Sequence, residues 1–502
     1  MLYIKKSKYV ILILTLFLFF LLFCFCFNKV DLEFSNQVYK EDLVLNVLIN
    51  NQLCSYDKEN DVYYYYTDYN NYKKWNFEFN SLYELDYDIR KIDDNSFLIK
   101  VYSDDFYQNI NLIVTSLPII DFKDLSSVFE KKSLTYPDVD YNFNFDLNDN
   151  NLSLIESVPY NARFDGAEKN HSLYENVLLK VRGASSTLYP KKAYKVSFEE
   201  KVTVYDLPKD DKYVLDALYI DRSKIRNLLS SSLWNEINND QYINNDLRGK
   251  FVEVFIDDEY VGIYVLKEKI DKSVTNISDD GVILKSIFHM NDYYINEFLS
   301  YDYSISADSF LNFDIKYFNK LSFYSIINKM KEYYTQMDFN SIDDNFYLDN
   351  YLNYYIFVTL ISGNDNVDYN YYLSVSDNSS KILITPWDMD LTWGLSWSDD
   401  SLFSKFSMES SFDVDWINNN IINNMDAKTL SLLKKRYWEL RKSVITMDTI
   451  NGYLDSYEEL LVNSGAAKRD SERWYEYDIE FEIEQIREWA KMRIEFLDQY
   501  FS

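Results

Sequence analysis

The sequence predicts an α+β protein with a β-rich N-terminal part and a helical C-terminal part, and three observations support this class. Residues 31–115 consist of short segments rich in Tyr, Phe, Val and Ile that alternate with Asn and Asp turns, as β-strands do. Residues from about 117 to 290 mix strand-like and helix-like segments. The last third carries apolar residues at the spacing of helices that pack against a core.

The N-terminus has the pattern of a membrane anchor. Lys5, Lys6 and Lys8 precede the uncharged run Tyr9–Phe27, which as a helix would span about 28 Å. No cleavage site of small residues follows. We therefore expect an uncleaved signal anchor, with the lysines on the cytoplasmic side and the main body outside the membrane as a single-pass protein. A cleaved signal peptide is the alternative.

These patterns divide the chain into three expected parts. Residues 1–29 hold the cytoplasmic lysines and the transmembrane helix, residues 30–115 form a β-rich module next to the membrane, and residues 116–502 form the main domain. The module is expected to be a small β-sandwich without visible chemistry. Its predicted strands are Leu43–Asn50, Val62–Tyr69, Trp75–Asn80 and Phe97–Tyr102.

Composition limits the classes of function. The chain has 502 residues and a formal net charge of −30, from 51 basic and 81 acidic residues. A chain this acidic repels nucleic acid, so metal ions or basic polypeptides are the expected partners. The three cysteines, Cys24, Cys26 and Cys54, are too few and badly placed for a disulfide framework or a zinc cluster in the main body. With only two histidines, a His-based metal site or a Ser-His-Asp triad is not expected.

The main domain begins with predicted strands and a helix. Asn176–Gly183 and Lys191–Phe198 have strand patterns, and Asp221 is placed to cap a helix that continues through Ile237. Phe251–Asp271 predicts a hairpin that turns at residues 257–259. Two late helices are indicated by apolar stripes: Leu430, Leu433, Tyr437, Leu440 and Val444 after the capping Asp426, and Ile479, Ile483, Ile486, Ala490, Ile494 and Leu497.

Polar residues surround a second predicted hairpin, with strands Asn370–Val375 and Lys381–Thr385. Asp365 and Asn370 come at the start of its first strand, and Asp388 follows its second. Because a hairpin returns its two ends to one place, these three side chains should converge. Their order is that of the base, the metal-binding Asn and the metal-binding Asp of protein kinases. Ordinary turn residues beside a hairpin would give the same spacing.

Six short motifs occur in an order that resembles the spore-coat CotH family of atypical protein kinases. The resemblance extends from about residue 117 to the C-terminus. It implies a protein-kinase-like fold that binds ATP with Mg²⁺ or Mn²⁺ and phosphorylates Ser or Thr on secreted or surface proteins. The motifs are RGASS (Arg182–Ser186), PKKAY (Pro190–Tyr194), IRNLL (Ile225–Leu229), EYVGIYVLKEKID (Glu259–Asp271), GNDNVDYN (Gly363–Asn370) and PWDMDLTWG (Pro386–Gly394).

The resemblance implies roles for four residues of the last two motifs. Asp365 looks like the catalytic base and Asn370 like a metal ligand. Asp388 looks like the principal metal-binding carboxylate, and Asp390 assists it or holds it in place.

The RGASS turn resembles the phosphate-facing loop of the family, which implies that Arg182, Ser185 and Ser186 bind the nucleotide. The sequence departs from the family here, because Ala184 replaces the usual Asn of RGNSS. Any hydrogen bond from that side chain is lost. An ordinary strand connection is the alternative interpretation of the two serines.

A lysine should neutralise the phosphates of the nucleotide, and Lys191, Lys192 and Lys195 are the candidates. Strand alternation favours Lys192, which shares the expected inward parity of Tyr194, with Lys195 as second choice. Lys191 and Lys195 are expected to point to solvent.

Two charged residues of the other motifs, Glu268 and Arg226, are also considered. Glu268 follows an apolar strand and either pairs with the lysine, holds the nucleotide, or is a solvated carboxylate at a strand end. Arg226 is expected to form a structural salt bridge with a buried acid.

The leading hypothesis is therefore an extracytoplasmic kinase that transfers the γ-phosphate of ATP to Ser or Thr of a surface or coat protein, its substrate being a basic, Ser-rich polypeptide. A non-catalytic surface, adhesion or coat-assembly protein on the same fold is the alternative. A metal-dependent hydrolase would use the carboxylates but not the lysine or the RGASS turn. The oligomeric state is not indicated by the sequence.

Overall fold

The structure is a computed structural model that describes residues 37–68, 71–125, 157–168, 171–183, 185–238, 246–287, 292–301, 313–336, 338–397 and 404–502. The chain divides into two compact units. The first unit contains the residues up to Val114 except a short stretch that begins at Tyr66, and the second contains that stretch and the residues from Thr115 onward.

The first unit consists of β-strands around an apolar core that includes Ile49, Phe97 and Ile99. A six-stranded sheet has the order β4-β5-β9-β8-β7 with β1 paired to β9, and a three-stranded sheet has the order β3-β2-β6. All four predicted strands are present, most of them shorter than predicted. The strands are β1 Val38–Tyr39, β2 Asn46–Ile49, β3 Gln52–Leu53, β4 Ser55–Asp57, β5 Val62–Tyr66, β6 Phe77–Asn80, β7 Asp86–Lys91, β8 Ser96–Tyr102 and β9 Phe106–Thr115.

The second unit begins with a closed seven-stranded barrel, which the sequence did not predict. Its strand order is β10-β11-β12-β13-β14-β16-β15, and a parallel pairing of β10 with β15 closes it. Tyr194, Val196 and Phe198 of β13 belong to the apolar core that fills the barrel. The strands are β10 Ile119–Asp124, β11 Val158–Glu168, β12 His171–Arg182, β13 Ala193–Val202, β14 Asp210–Asp216, β15 Gly249–Ile256 and β16 Glu259–Glu268.

The predicted hairpin and helix of this region are both present. Strands β15 and β16 are joined at Asp257 and Asp258, whose φ angles of 53° and 65° give the turn the left-handed backbone that suits two-residue hairpins. The helix α1 Arg226–Asn238 lies between β14 and β15 in the chain. Asp221 accepts a hydrogen bond from the first backbone N–H of α1, that of Arg226, at 2.9 Å.

A four-stranded sheet and helices form the rest of the second unit. The sheet has the order β18-β17-β19-β20, and β19 and β20 are the predicted second hairpin. A short pair, β21 with β22, follows. The strands are β17 Val282–Ser286, β18 Phe313–Tyr317, β19 Tyr371–Val375, β20 Leu383–Pro386, β21 Leu395–Ser396 and β22 Lys405–Phe406. The helices from α2 to α7 are Lys272–Thr275, Asp292–Ser300, Lys320–Gln336, Phe339–Asn345, Leu348–Ile361 and Asn364–Asp368.

The last third is helical, as the apolar stripes predicted. Asp426 caps its helix by accepting hydrogen bonds from Lys428 and Thr429, and the side chain of Asp478 accepts one from Phe481. A mixed α+β protein with a β-rich beginning and a helical end is thus confirmed. The helices from α8 to α12 are Asp415–Asn420, Ala427–Arg441, Met447–Asn463, Ala466–Trp474 and Ile479–Tyr500.

The expected N-terminal membrane anchor is corrected by the structure. In the part of the chain that the structure describes, no helix is long and apolar enough to cross a membrane. The 22-residue helix Ile479–Tyr500 has sufficient length, but charged side chains occur along it. The segment Tyr9–Phe27, on which the expectation of a single-pass, extracytoplasmic protein rested, lies outside the described residues.

Candidate functional site

The side chain of Asn366 in α7 joins the two ends of the β19–β20 hairpin. Its Nδ2 donates hydrogen bonds to the backbone oxygen of Asn370 at 2.9 Å and to that of Trp387 at 2.8 Å. The backbone N–H of Trp387 also donates to the oxygen of Asn370, at 3.0 Å. Asn370 therefore lies beside Trp387 and close to the next residue along the chain, Asp388, as a hairpin geometry requires.

Asp365 is held close to the same end of the sheet. The backbone N–H of Asn370 donates to the backbone oxygen of Asp365 at 2.8 Å. Burial raises the pKa of Tyr369, and the negative charges of Asp388 and Asp365 raise it further. Both carboxylates are therefore close enough to act electrostatically on one phenol.

Asp388 and Asp390 form a close pair of carboxylates after β20. Asp388 has a backbone φ of 59°, in the left-handed region that residues other than Gly rarely adopt and that is often found at functional sites. The Oδ1 atom of Asp390 accepts a hydrogen bond from the N–H of Leu391 at 3.0 Å. Burial raises the pKa of Asp390 well above its ordinary value, and the charges of Asp388 and Asp216 add to this rise. A cation would relieve the repulsion.

The barrel contributes two cations to this region. Lys267 of β16 forms an ion pair with Asp216 of β14, with 2.5 Å between Nζ and Oδ2. Burial favours a higher pKa for Asp216, but the charges of Lys267 and Arg182 outweigh it, and the pKa lies below its ordinary value. The Lys267 ammonium lies 4.7 Å from the ring centre of Trp387, and the Arg182 guanidinium 5.7 Å from it. Both cations therefore approach Trp387, the residue that directly precedes Asp388.

The RGASS turn connects β12 to β13. Arg182 is the last residue of β12, and Gly183 has a φ of +121°, which favours glycine. A Cβ atom at Gly183 would lie 1.9 Å from the hydroxyl of Ser186. Ser185 begins the 3-10 turn Ser185–Leu188, but its side chain, like the whole of Ala184, lies outside the described part of the structure.

Lys192 binds the backbone directly after the RGASS motif. Its Nζ donates to the backbone oxygens of Thr187 at 2.8 Å and Tyr189 at 2.6 Å. Burial raises the pKa of Tyr189 to about 12, and the charge of Asp390 contributes to the rise. Lys192 therefore holds the backbone that directly follows RGASS, and the Tyr189 phenol of this segment is within electrostatic reach of Asp390.

The expectation that Lys191 points to solvent was wrong. Lys191 is 1% exposed, and its Nζ donates to the backbone oxygen of Ile263 at 2.5 Å and to Oδ1 of Asp470 at 2.6 Å. It precedes Ala193, the first residue of β13, so the alternation of that strand does not apply to it.

Lys195 is within β13 and lies on the outer face of the barrel, opposite to Tyr194 and Val196. It is half-buried rather than fully exposed to solvent. Burial lowers the pKa of Lys195, and so do the charges of three other lysines: Lys269, Lys212 and Lys180. This face of the barrel is thus locally basic although the chain as a whole is acidic.

Glu268 lies in a narrow cleft that is also lined by Lys267, Trp387 and Asp388. It is 5% exposed, and its Oε2 accepts a hydrogen bond from the N–H of Arg248 at 3.3 Å. Burial raises the pKa of Glu268 to about 7. Its position excludes the solvated strand-end carboxylate. Among the described residues it forms no ion pair with a lysine.

Arg226 forms the structural salt bridge that the sequence led us to expect. Its Nη1 lies 2.5 Å from Oδ1 of Asp221, and both side chains are fully buried. Its Nε donates to the backbone oxygen of Thr392 at 3.0 Å. Trp393 donates from its indole N–H to Ser230 at 2.9 Å. These contacts attach α1 to the segment that follows Asp390.

The donor set near Asp388 fits a hard divalent cation that also binds phosphate oxygens. Within the described ranges, no group of three or more His, Cys, Asp or Glu side chains could hold a metal by itself. The two carboxylates of Asp388 and Asp390, with Asn370 beside them through its backbone contacts, are instead compatible with Mg²⁺, which uses one or two carboxylates and takes its other ligands from phosphates and water.

These elements define a class of protein: a mixed α+β chain in which a β-barrel with basic residues and a helical part meet at a carboxylate-bearing hairpin. The sequence model of one family, described as CotH kinase protein, matches residues 179–497, which is more than half of the chain. The chain belongs to the CotH family. No curated protein matches it in a sequence comparison.

Sequence reasoning missed several residues of this region. The sequence contained a signal for Asn366, because it lies between Asp365 and Asn370 in the GNDNVDYN motif and an Asn side-chain amide can donate two hydrogen bonds. Asp216 and Lys267 come from separate strands, β14 and β16, which pair only in the barrel. No sequence signal links them.

Proposed function

We propose that this protein transfers the γ-phosphate of ATP, with Mg²⁺ or Mn²⁺, to a Ser or Thr hydroxyl of a protein acceptor. The observation that carries the proposal is the side-chain bridge from Asn366 to the two ends of the hairpin. It holds Asp365, Asn370 and Asp388 at one end of the sheet, in the order that protein kinases use. The description of the matched family as a kinase supports the same reaction.

Each polar residue of the site has a role in this reaction. Asp365 accepts the proton of the acceptor hydroxyl as that oxygen attacks the γ-phosphorus. Asp388 holds the metal ion, with Asn370 and Asp390 beside it. When bound, the metal neutralises the charge of the phosphate oxygens.

The barrel residues bind the nucleotide in this proposal. Arg182 approaches the site from the last residue of β12, and the Tyr189 phenol after the RGASS turn is within electrostatic reach of Asp390. Ser185 and Ser186 of the turn bind the phosphates in this proposal. Lys192 neutralises phosphate charge, and in the free protein it is held by two backbone oxygens. Glu268 holds the nucleotide from the floor of the cleft.

A basic, Ser-rich polypeptide is the proposed acceptor. The net charge of −30 attracts a cationic chain and repels an acidic one. The resemblance to the CotH family implies that this acceptor is a coat or surface protein.

The test incubates the purified full-length chain with γ-labelled ATP, Mn²⁺ or Mg²⁺, and a basic Ser-rich polypeptide. Asp365→Asn should keep metal-dependent ATP binding and lose about 10²- to 10⁴-fold in transfer rate, because a base acts in the transition state. Asp388→Asn should lose both the metal-dependent binding and the transfer. Asp344→Asn, at an exposed position of α5, is the matched control and should behave like the wild type.

A specific result would contradict the proposal. If the wild type shows no metal-dependent change in melting temperature with any nucleotide and transfers no label, the kinase function is wrong. The non-catalytic surface or coat-assembly protein is then the better description.

A further inference from the structure

Lys285 lies on β17 next to the candidate site but belongs to none of the motifs quoted above. In the sheet it is directly opposite Tyr372 of β19 on one side and Asp314 of β18 on the other. Opposed residues of an antiparallel pair share one face, so Lys285 and Tyr372 lie on the same face of the sheet. The Tyr372 ring lies 5.9 Å from that of Trp387. This face is therefore the one directed toward the candidate site.

The charges around Lys285 agree with this placement by the sheet. Burial lowers the pKa of the half-buried Lys285, while the negative charge of Asp388 opposes this effect. Arg182, which approaches Trp387 from the barrel, and Lys316 repel the ammonium group of Lys285 and lower its pKa further. Lys285 and Arg182 thus carry positive charge toward the same region from the sheet and from the barrel.

Lys285 differs from the other lysines of the site in its lack of a protein partner. Lys192 is bound by two backbone oxygens, Lys267 by Asp216, and Lys191 by Asp470 and a backbone oxygen. Within the described part of the chain, Lys285 makes no hydrogen bond and no ion pair. An ammonium group that is partly shielded from water and that no oxygen of the described residues binds is available to a charge-assisted hydrogen bond with an anionic ligand.

We propose that Lys285 binds the terminal phosphate of the nucleotide. The inference rests on the kinase function proposed above. Arg182 and Lys267 approach the nucleotide from the barrel, whereas Lys285 approaches the transferred group from the sheet that also carries Asp388.

In the reaction, the acceptor oxygen forms a bond to the γ-phosphorus while the bond from that phosphorus to the bridging oxygen of ADP breaks. The acceptor proton moves to Asp365, and ADP leaves with the bond electrons. Lys285 offsets the negative charge on the γ-phosphate oxygens during this step. It acts on the group that ATP has and ADP lacks.

The test measures binding rather than turnover. The dissociation constants of ATP and of ADP, each with Mn²⁺, are determined by calorimetric titration for the full-length wild type and for Lys285→Met. The ratio of the ADP constant to the ATP constant should fall roughly 10- to 100-fold in the variant, since one charge-assisted hydrogen bond to the terminal phosphate is lost. Lys285→Arg should retain most of the wild-type ratio.

Lys316→Met is the matched control. Lys316 lies on the neighbouring strand β18, bears the same charge and pairs with Asp314, so its loss should leave the ratio nearly unchanged. If Lys285→Met keeps the wild-type ratio, or weakens ATP and ADP equally, the inference is wrong while the kinase function stands. If the wild type binds neither nucleotide, the kinase function itself fails and the inference falls with it.

Discussion

Asn366 is 1% exposed and uses both hydrogens of its amide nitrogen to join Asn370 and Trp387. Its backbone oxygen accepts a hydrogen bond from the hydroxyl of Tyr354 in α6. One side chain therefore sets the separation between the residue before β19 and the residue after β20. The carboxylates of the site depend on this position, since Asp388 follows Trp387 directly.

Asn366→Ala should destabilise the second unit by about 1–3 kcal/mol, because two buried backbone oxygens lose a donor. The ATP- and Mn²⁺-dependent rise in melting temperature should shrink at the same time. Urea denaturation and thermal melts measure the two effects. Asn364→Ala, at the exposed first residue of α7, is the control and should change stability little. Equal stability of Asn366→Ala and the wild type would contradict the bridging role.

At the residue scale, the sequence indicated which polar residues converge but gave the wrong position for Lys191. The hairpin spacing was sufficient to bring Asp365, Asn370 and Asp388 together, because it depends on local backbone geometry alone. The choice among the lysines used strand parity. In a closed barrel the buried parity of β13 is filled by core side chains such as Tyr194 and Val196, so burial on that strand does not indicate a ligand-facing side.

The turn after β12 shows how an element limits the residues that it can contain. Gly183 combines a left-handed φ with close approach to the hydroxyl of Ser186. Lys192 holds the backbone that directly follows RGASS through the oxygens of Thr187 and Tyr189. The glycine of RGASS is thus explained by backbone conformation alone, independently of any ligand.

Gly183→Ala should cost about 1–3 kcal/mol, because an alanine at this φ is strained and its Cβ displaces the Ser186 hydroxyl. It should also weaken nucleotide binding, measured by calorimetric titration. Gly452→Ala is the control: Gly452 lies within α10, and nothing lies within 4 Å of an added Cβ. That variant should gain about 0.5–1 kcal/mol in stability. If Gly183→Ala were more stable than Gly452→Ala, the assigned turn conformation would be wrong.

At the scale of elements, the regular patterns predicted the regular structure. Apolar spacing and a capping Asp predicted the helix Ala427–Arg441, and alternation around the acidic residues 257–259 predicted the β15–β16 hairpin, whose turn contains only the first two of them. Strands shorter than predicted, such as Asn46–Ile49, reflect pairing partners that end early. Strand ends depend on the neighbouring strand, which the sequence of one segment does not specify.

At the scale of the second unit, a buried ionic cluster joins the barrel to the C-terminal helices. Asp470 of α11 accepts hydrogen bonds from Lys191 at 2.6 Å and from the N–H of Ile263 at 2.9 Å. Lys224 lies 3.3 Å from its other oxygen. The three charged side chains are fully buried. Burial lowers the pKa of Lys191 to about 8, although the charge of Asp470 opposes the shift.

Asp470→Ala should reduce the free energy of unfolding of the second unit by about 3–5 kcal/mol, because two buried lysines lose their counter-ion. Without Asp470 the pKa of Lys191 falls further below its unfolded value. The unfolded chain then binds more protons, and the variant regains stability as the pH rises from about 7 toward about 10. Denaturant titrations at several pH values measure this. Glu472→Ala, exposed on the same helix, should change stability by less than about 0.5 kcal/mol. A pH-independent loss in Asp470→Ala would contradict a charged cluster.

The amino-acid sequence was sufficient to predict the α+β class, the capped helices, both hairpins and the convergence of Asp365, Asn370 and Asp388. All of these follow from local spacing and backbone geometry. The folded chain was needed to show the closed barrel, the pairing of Lys267 with Asp216, the burial of Lys191 against Asp470 and the position of Lys285 opposite Tyr372. The residues of each of these contacts are far apart in the chain. Such contacts are set by which strands and helices become neighbours, and a short segment contains no information about its neighbours.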